Sequence, residues 1–226
     1  MTYKLHGAIL SPYVRKCRAY FLEKQIPFES IHVDPGNIPS DYEKLNPLMR
    51  IPALEHGDLR LADSSVICQY IEKLHPTPAL FPTDAGDFAQ ALWLEKYADY
   101  ELGPLCTFGV FRERLIKPLR GLTSDESRVE KALEKLPPLF DYLNELLDGR
   151  EWFVGDQISI ADIAVASQWV NFQHGGEQID AARWPHLAAH RDRVHTRPSF
   201  AESLAQEHAL IGKIRHKLGL PPITPP

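Results

Sequence analysis

Residues 46–71 read NPLMRIPALEHGDLRLADSSVICQYI, and the order of patterns inside them decides how the first third of the chain folds. Two short runs, "PALEH" and "LRLA", alternate apolar and polar residues and are joined through His56, Gly57 and Asp58, which is the pattern of a strand pair. "SSVICQYIEKL" follows at once with helical spacing. Upstream, "YKLHG" predicts a strand, Pro12 to about Lys24 a helix, "FESIHV" a second strand, and the chain to Asn46 is irregular. The predicted order is β-α-β-(α)-β-β-α. Along the first helix Val14, Cys17, Phe21 and Leu22 form an inward stripe, which makes Cys17 a core residue.

Downstream of that unit the character of the chain changes. "HPTPALFPTDAGD", His75 to Asp87, carries three prolines and a glycine between helical patterns and reads as an interdomain linker. Helices are then expected from Phe88 to about Leu115, Ser124 to Leu147, Ser159 to about Phe172, Pro185 to about Thr196, and Ser199 to Ile211, with "GLPPITPP" extended at the end. The expected division is a first domain over residues 1–76, a linker over 77–87, an all-helical domain over 88–213 and a tail over 214–226. One helix start is written in full. In "QISIADIAV", Ser159 caps while Asp162 reaches back to its N–H, and Ile158 packs on Ile163.

Composition narrows the class. With 226 residues, of which 44% are hydrophobic, the chain can bury a substantial core. Its formal net charge of −5 has no basic block, which argues against a nucleic-acid partner. No apolar run reaches membrane-spanning length, and the N-terminal "MTYKLHGAIL" lacks a secretory pattern, so no membrane partner and a cytoplasmic location are expected. The three cysteines are far apart, without Cys-x-x-Cys, and are expected to be reduced thiols.

"LSPYVRKCRAYF", Leu10 to Phe21, puts Ser11 at a helix cap, Pro12 in the first turn and Arg15 one turn on. Unpaired N–H groups and the helix dipole make such a corner attractive to anions. Local pattern alone leaves two readings, a plain cap or a binding corner.

Three motifs in sequence decide between them: "SPYVRK", "NPLMRIPAL" (Asn46–Leu54) and "ADSSVICQYI" (Ala62–Ile71), joined by "WFVGDQISIADIAVA" and "WPHLAAHRDRVHTRPSF" in the second half. In that order and spacing the chain resembles the cytosolic glutathione transferase family over nearly its full length. The resemblance implies an α/β thioredoxin-like N-terminal domain that holds glutathione as co-substrate, followed by an all-α domain. It also implies a cis bond at Ile51-Pro52, a two-fold homodimer and a role in detoxification.

Residue by residue, the resemblance implies that Ile51 pairs its backbone with the cysteinyl unit of glutathione and that Arg50 meets a carboxylate. Asp63, where the family more often has Glu, would meet the amino group, and Ser64 the γ-glutamyl carboxylate. Ser11 stands where serine-type members place the hydroxyl that bonds the sulfur, with Tyr13 as the competing, tyrosine-type hydroxyl. A free thiol has a pKa near 8.5, so making thiolate the main form at pH 7 needs a shift of about two units, roughly 2.7 kcal/mol. A hydrogen bond to an ionised group contributes roughly 1.5–3 kcal/mol and a helix N-terminus roughly 0.3–1 kcal/mol. Ser11 and the helix end together match the requirement. Tyr13, Tyr97, Phe108, Arg112 and Trp169 are the candidate walls of a pocket for an electrophile. His186, His190 and His195 lack a completing carboxylate or cysteine motif, so no metal is expected.

The expected activity is glutathione transfer to a small electrophile. A glutathione-dependent isomerase or dehalogenase of the same fold, or a non-catalytic binding or regulatory protein, are the alternatives.

Overall fold

The computed structural model describes residues 2–223 and has two parts. In the first, β1 (Tyr3–Gly7), α1 (Pro12–Glu23), β2 (Phe28–His32), β3 (Ala53–His56), β4 (Leu59–Ala62) and α2 (Ser64–Leu74) follow the predicted order. A single 3-10 turn, Ser40–Lys44, lies in the irregular stretch. The sheet runs β2-β1-β3-β4, with β1 parallel to β2 and antiparallel to β3, and β4 antiparallel to β3. This is the thioredoxin-like arrangement.

Alternation along the strands builds two layers on the sheet. Tyr3, Leu5 and Leu54 are buried with Val14, Cys17 and Phe21 of α1 and Ile67 and Ile71 of α2. A smaller cluster joins Val33, Tyr42 and Ala53, with the His6 ring edge-on to Tyr42. Cys17 is fully buried, as its stripe predicts. Gly7 closes β1 against α1, because a Cβ there would come within 2.3 Å of a Val14 methyl group. That close approach sets the short connection carrying Ser11.

The second part is all helical. α3 (Ala85–Tyr97) passes without a break into a π-type helix (Ala98–Ile116) and a last α turn, α4 (Lys117–Leu119). Pro104 lies inside the π-type segment, where it removes one backbone donor from the ladder. α5 (Glu126–Leu146), α6 (Ile160–His174), α7 (Pro185–His195) and α8 (Pro198–Lys217) complete the bundle. α6 is buried along nearly its whole length, as its apolar character on all sides requires.

Its start carries the predicted capping box. Ser159 N–H donates to Asp162 Oδ2 at 2.8 Å and Ala161 N–H to Ser159 Oγ at 3.3 Å. Asp162 also accepts from Phe153 N–H at 3.0 Å and pairs with His190 Nε2 at 2.9 Å, so it ties three segments together.

Three boundaries differ from the sequence reading. The first long helix of the second part runs on through α4 to Leu119, past Leu115. α3 begins at Ala85, before Phe88, because Asp84 accepts from Gly86 and Asp87 N–H. α8 continues through Lys217, past Ile211 and into the stretch read as extended tail. Ile211 and Ile214 bury against Phe111 and Leu115, and Leu218, Leu220 and Ile223 fold back onto the same cluster. Arg215 fixes that return through Pro221 O at 2.5 Å and His174 O at 3.2 Å. Met1 and residues 224–226 of the expected tail lie outside the described residues.

Candidate functional site

Ser11 is the N-cap of α1, with φ −79° and ψ 125°. Its Oγ accepts from Val14 N–H at 3.4 Å, a long bond that uses one lone pair. The cap leaves the hydroxyl proton free to be donated elsewhere. The capping reading and the binding reading of this corner are therefore compatible.

The second element is the turn before β3. Asn46 builds it: Oδ1 accepts from Leu48 N–H at 2.9 Å and Nδ2 donates to Arg50 O at 2.7 Å, with the Tyr42 hydroxyl on the same carbonyl at 3.1 Å. Met49 takes φ 51° inside that turn, and the Ile51-Pro52 bond is cis. Pairing of β1 with β3 ends at His6 opposite Ala53, which leaves Ile51 beyond the ladder. The Arg50 side chain is exposed.

Between β4 and α2, Asp63 adopts φ 75° and caps α2 by accepting from Ser65 N–H at 2.8 Å and Val66 N–H at 3.2 Å. A left-handed aspartate costs on the order of 1–3 kcal/mol, and its carboxylate capping bonds offset part of that cost. Ser64, the first residue of α2, is buried. Ser65 behind it meets Lys96 Nζ at 2.5 Å and Lys16 Nζ at 3.4 Å.

Those lysines belong to a buried polar cluster. Lys16 Nζ lies 2.9 Å from Glu95 Oε1 and 2.7 Å from Asp99 Oδ2. Burial opposes its charge, but Asp99 and Glu95 outweigh it and hold the ammonium above the ordinary lysine range. Asp99 is pushed up, chiefly by burial. Tyr13 donates to Asp99 O at 3.3 Å, and burial followed by the Asp99 charge raises its phenol to about 12.

The chain matches "Glutathione S-transferase, N-terminal domain" over residues 5–79 and "Glutathione S-transferase, C-terminal domain" over residues 117–207. It belongs to the glutathione transferase family. A Glutathione S-transferase of Triticum aestivum is 30% identical over 204 residues, covering 89% of this chain and 92% of that one. FtsZ-localized protein A of Caulobacter vibrioides is 27% identical over 221 residues, covering 83% and 96%. The crystal structure of a glutathione S-transferase from Rhodospirillum rubrum F11 superposes with a TM-score of 0.85 at 25% identity, over 100% of this chain and 96% of that one. One from Methylobacterium radiotolerans, in complex with glutathione sulfonate, gives 0.75 at 29% identity, over 90% and 94%.

The expected pocket walls are not all exposed. Trp169 has no exposed surface and packs edge-on against Phe140, with ring centroids 5.0 Å apart. It is core in this transferase fold, because α6 is enclosed on every side. Tyr97 turns toward α5, packing on Tyr142 with its hydroxyl 3.5 Å from Leu139 O. Tyr13 is half-buried, while Phe108 and Arg112 are exposed one turn apart on the π-type helix.

The histidines are separately engaged. His190 pairs with Asp162, His195 Nε2 donates to Ala166 O, and His186 lies 3.6 Å from Asp148. Among the described residues no group of three or more His, Cys, Asp or Glu is placed to hold a metal ion.

Of the buried charges, the sequence reading singles out Arg15 at the helix-start corner and passes over Lys16, Glu95 and Glu207. Arg15 and Lys16 are both fully enclosed between α1 and the helical part. Arg15 donates to Glu207, to Ser167 O at 2.7 Å and to Asn171 Oδ1 at 3.0 Å. A signal existed for Glu207: it occupies an inward position of α8 between Leu204 and Ile211, where an apolar residue is expected. An acidic side chain on an apolar stripe calls for a buried cation.

Proposed function

We propose that the protein is a catalytic glutathione transferase in which Ser11 holds the glutathione thiolate. The observation that carries this reading is the Ser11 hydroxyl, whose cap bond uses a lone pair and leaves its proton for a sulfur at the N-terminus of α1. Tyr13 is the weaker candidate, since its proton is already directed at Asp99 O and its phenol is raised to about 12.

In this reading glutathione lies along the first domain. Its cysteinyl unit pairs with the Ile51 backbone, which the strand ladder leaves free. Arg50, Asp63 and Ser64 hold its charged ends. Tyr13, Phe108 and Arg112 face an apolar electrophile, and conjugation serves detoxification. The exposed Val66 of α2, Trp93 of α3 and Tyr100 of the π-type helix support a homodimer built on those helices. Three free cysteines suit a reducing cytoplasm. Glutathione-dependent isomerisation or dehalogenation would use the same thiolate. The relative named for FtsZ localisation favours a second reading, a glutathione transferase-like binding or regulatory protein.

Ultraviolet thiolate absorbance of bound glutathione against pH, measured beside conjugation rate on a panel of electrophiles, tests the assignment. Ser11→Ala should move the titration up towards 8.5 and lower the neutral rate, while Tyr13→Phe leaves the titration near wild type. The opposite pattern assigns the thiolate to Tyr13. Glutathione binding without turnover of any electrophile, in the wild-type protein, favours the regulatory reading.

A further inference from the structure

We infer that Asn171, on α6 of the helical part, is a positioning residue for the thiolate corner of the first domain. The inference rests on the reading of Ser11 as the hydroxyl that donates to the glutathione thiolate. Asn171 has no exposed surface, and its amide bridges two groups on either side of Ser11. Its Oδ1 accepts from Arg15 Nη2 at 3.0 Å, and its Nδ2 donates to Leu10 O at 3.2 Å. A guanidinium only donates and a backbone carbonyl only accepts, so the amide has one possible orientation here. Nothing but a carboxamide of this length satisfies both.

The consequence for Ser11 is geometric. Leu10 O belongs to the peptide plane that enters Ser11, so fixing it sets the direction from which the N-cap departs. Arg15 N–H donates to Ser11 O at 2.9 Å, closing the first turn of the same helix. Asn171 therefore grips the chain immediately before the serine and, through Arg15, one turn after it. The Leu10 side chain is held separately, against the cluster of Phe111, Ile211 and Ile214. A hydroxyl that must meet a sulfur depends on such placement, since a misplacement of about 1 Å can cost roughly a hundredfold in rate.

Asn171→Asp keeps the acceptor for Arg15 and turns an oxygen toward Leu10 O, so it breaks one bond and spares the other. Asn171→Ala removes both without adding charge. The readout is the thiolate titration of bound glutathione in these two variants, in Ser11→Ala, and in each Asn171 variant combined with Ser11→Ala. Thermal melting verifies that each is folded. Both Asn171 variants should raise the thiolate pKa by about one unit, with glutathione affinity nearly unchanged, and add nothing once Ser11 is alanine. If Asn171→Asp fails to fold, Asn171→Ala is read alone against its double mutant. A raised titration in Ser11→Ala with wild-type titration in the folded Asn171 variants overturns the positioning role and leaves the serine assignment standing. Shifts that add fully in the doubles also overturn it, because Asn171 would then act elsewhere. No shift in Ser11→Ala removes the serine assignment and the inference with it.

Discussion

Arg15 on α1 and Glu207 on α8 form a two-pronged ion pair, Nε to Oε1 at 2.8 Å and Nη2 to Oε2, with neither residue reaching solvent. His174 Nε2 lies 3.1 Å from the same carboxylate. Burial opposes the Glu207 charge, but Arg15 and His174 together hold its carboxyl below the ordinary glutamate range. Removing one partner of such a pair leaves an uncompensated buried charge, at a cost of about 3–5 kcal/mol. Glu207→Ala should therefore lower stability by that order in urea titration, and Glu207→Gln by less. Arg15→Met combined with Glu207→Met should recover only part of the loss, because it removes the uncompensated charge but takes the Arg15 partner from Ser167 O and Asn171 Oδ1 and the Glu207 partner from His174 Nε2. A double variant no more stable than Glu207→Ala would show that those lost hydrogen bonds cost as much as the unpaired charge.

Asp162 offers a second test, of stability against chemistry. A single helix cap contributes about 0.5–2 kcal/mol. This carboxylate accepts from Ser159 N–H and Oγ and from Phe153 N–H, and it pairs with His190. Asp162→Ala should exceed the upper end of that range in chemical denaturation, while the folded fraction retains near-normal glutathione affinity. A loss within the cap range would mean that the Phe153 and His190 contacts contribute little.

These two residues also mark how far the sequence reaches. The Ser159–Asp162 box was legible because a cap is local: donor and acceptor are three residues apart, and the spacing states the bond. The β-α-β-(α)-β-β-α order was legible for the same reason, through periodicity and turn residues. The partners that make Asp162 a junction, Phe153 and His190, belong to other segments and left no local trace. Arg15 and Lys16 show the limit most sharply. Both stand near Cys17 on a helix whose apolar stripe was readable, and the local pattern did not place either of them in the interior. Their burial follows from acids at residues 95, 99 and 207, more than 75 positions away. Trp169 erred in the other direction. An aromatic on a second-domain helix fits a pocket wall or a core equally well, and only the enclosure of α6 on all sides decides for the core.

Acid sensitivity should be traceable to His195. Burial holds its imidazole down at about 3, with only the Ala166 carbonyl as a favourable partner against the charges of Arg15, Arg191 and His190. The ring is neutral in the fold and titrates near 6.5 in the unfolded chain. Above pH 6.5 both states bind the same number of protons and this residue gives no pH dependence. Between 6.5 and about 3 the unfolded state binds one more proton, so stability falls as pH is lowered, by about 1.4 kcal/mol per unit. Urea midpoints at pH 7, 6, 5 and 4 on the wild type and on His195→Gln should show a shallower acid slope in the variant. Equal slopes would place the acid sensitivity elsewhere.

The close approach of Tyr13 to Gly103 has a consequence for stability that does not depend on catalysis. A Cβ at Gly103 would come within 2.8 Å of the Tyr13 hydroxyl oxygen. Alanine in place of a helical glycine is ordinarily favourable by about 0.8–1 kcal/mol, whereas forcing a methyl group into a packed contact costs about 1–3 kcal/mol. Tyr13 cannot retreat freely, because its hydroxyl is directed at Asp99 O on the same π-type helix. Gly103→Ala should therefore be destabilising, with the ring displaced from Asp99 and its phenol pKa lowered from about 12 as burial is relieved. Tyr13→Phe removes the oxygen that collides, so in that background the alanine should be neutral or stabilising. Thermal melts of the two single variants and the double complete the cycle. If Gly103→Ala is equally destabilising with phenylalanine at position 13, the strain arises in the helix backbone and the hydroxyl is not what keeps that position a glycine.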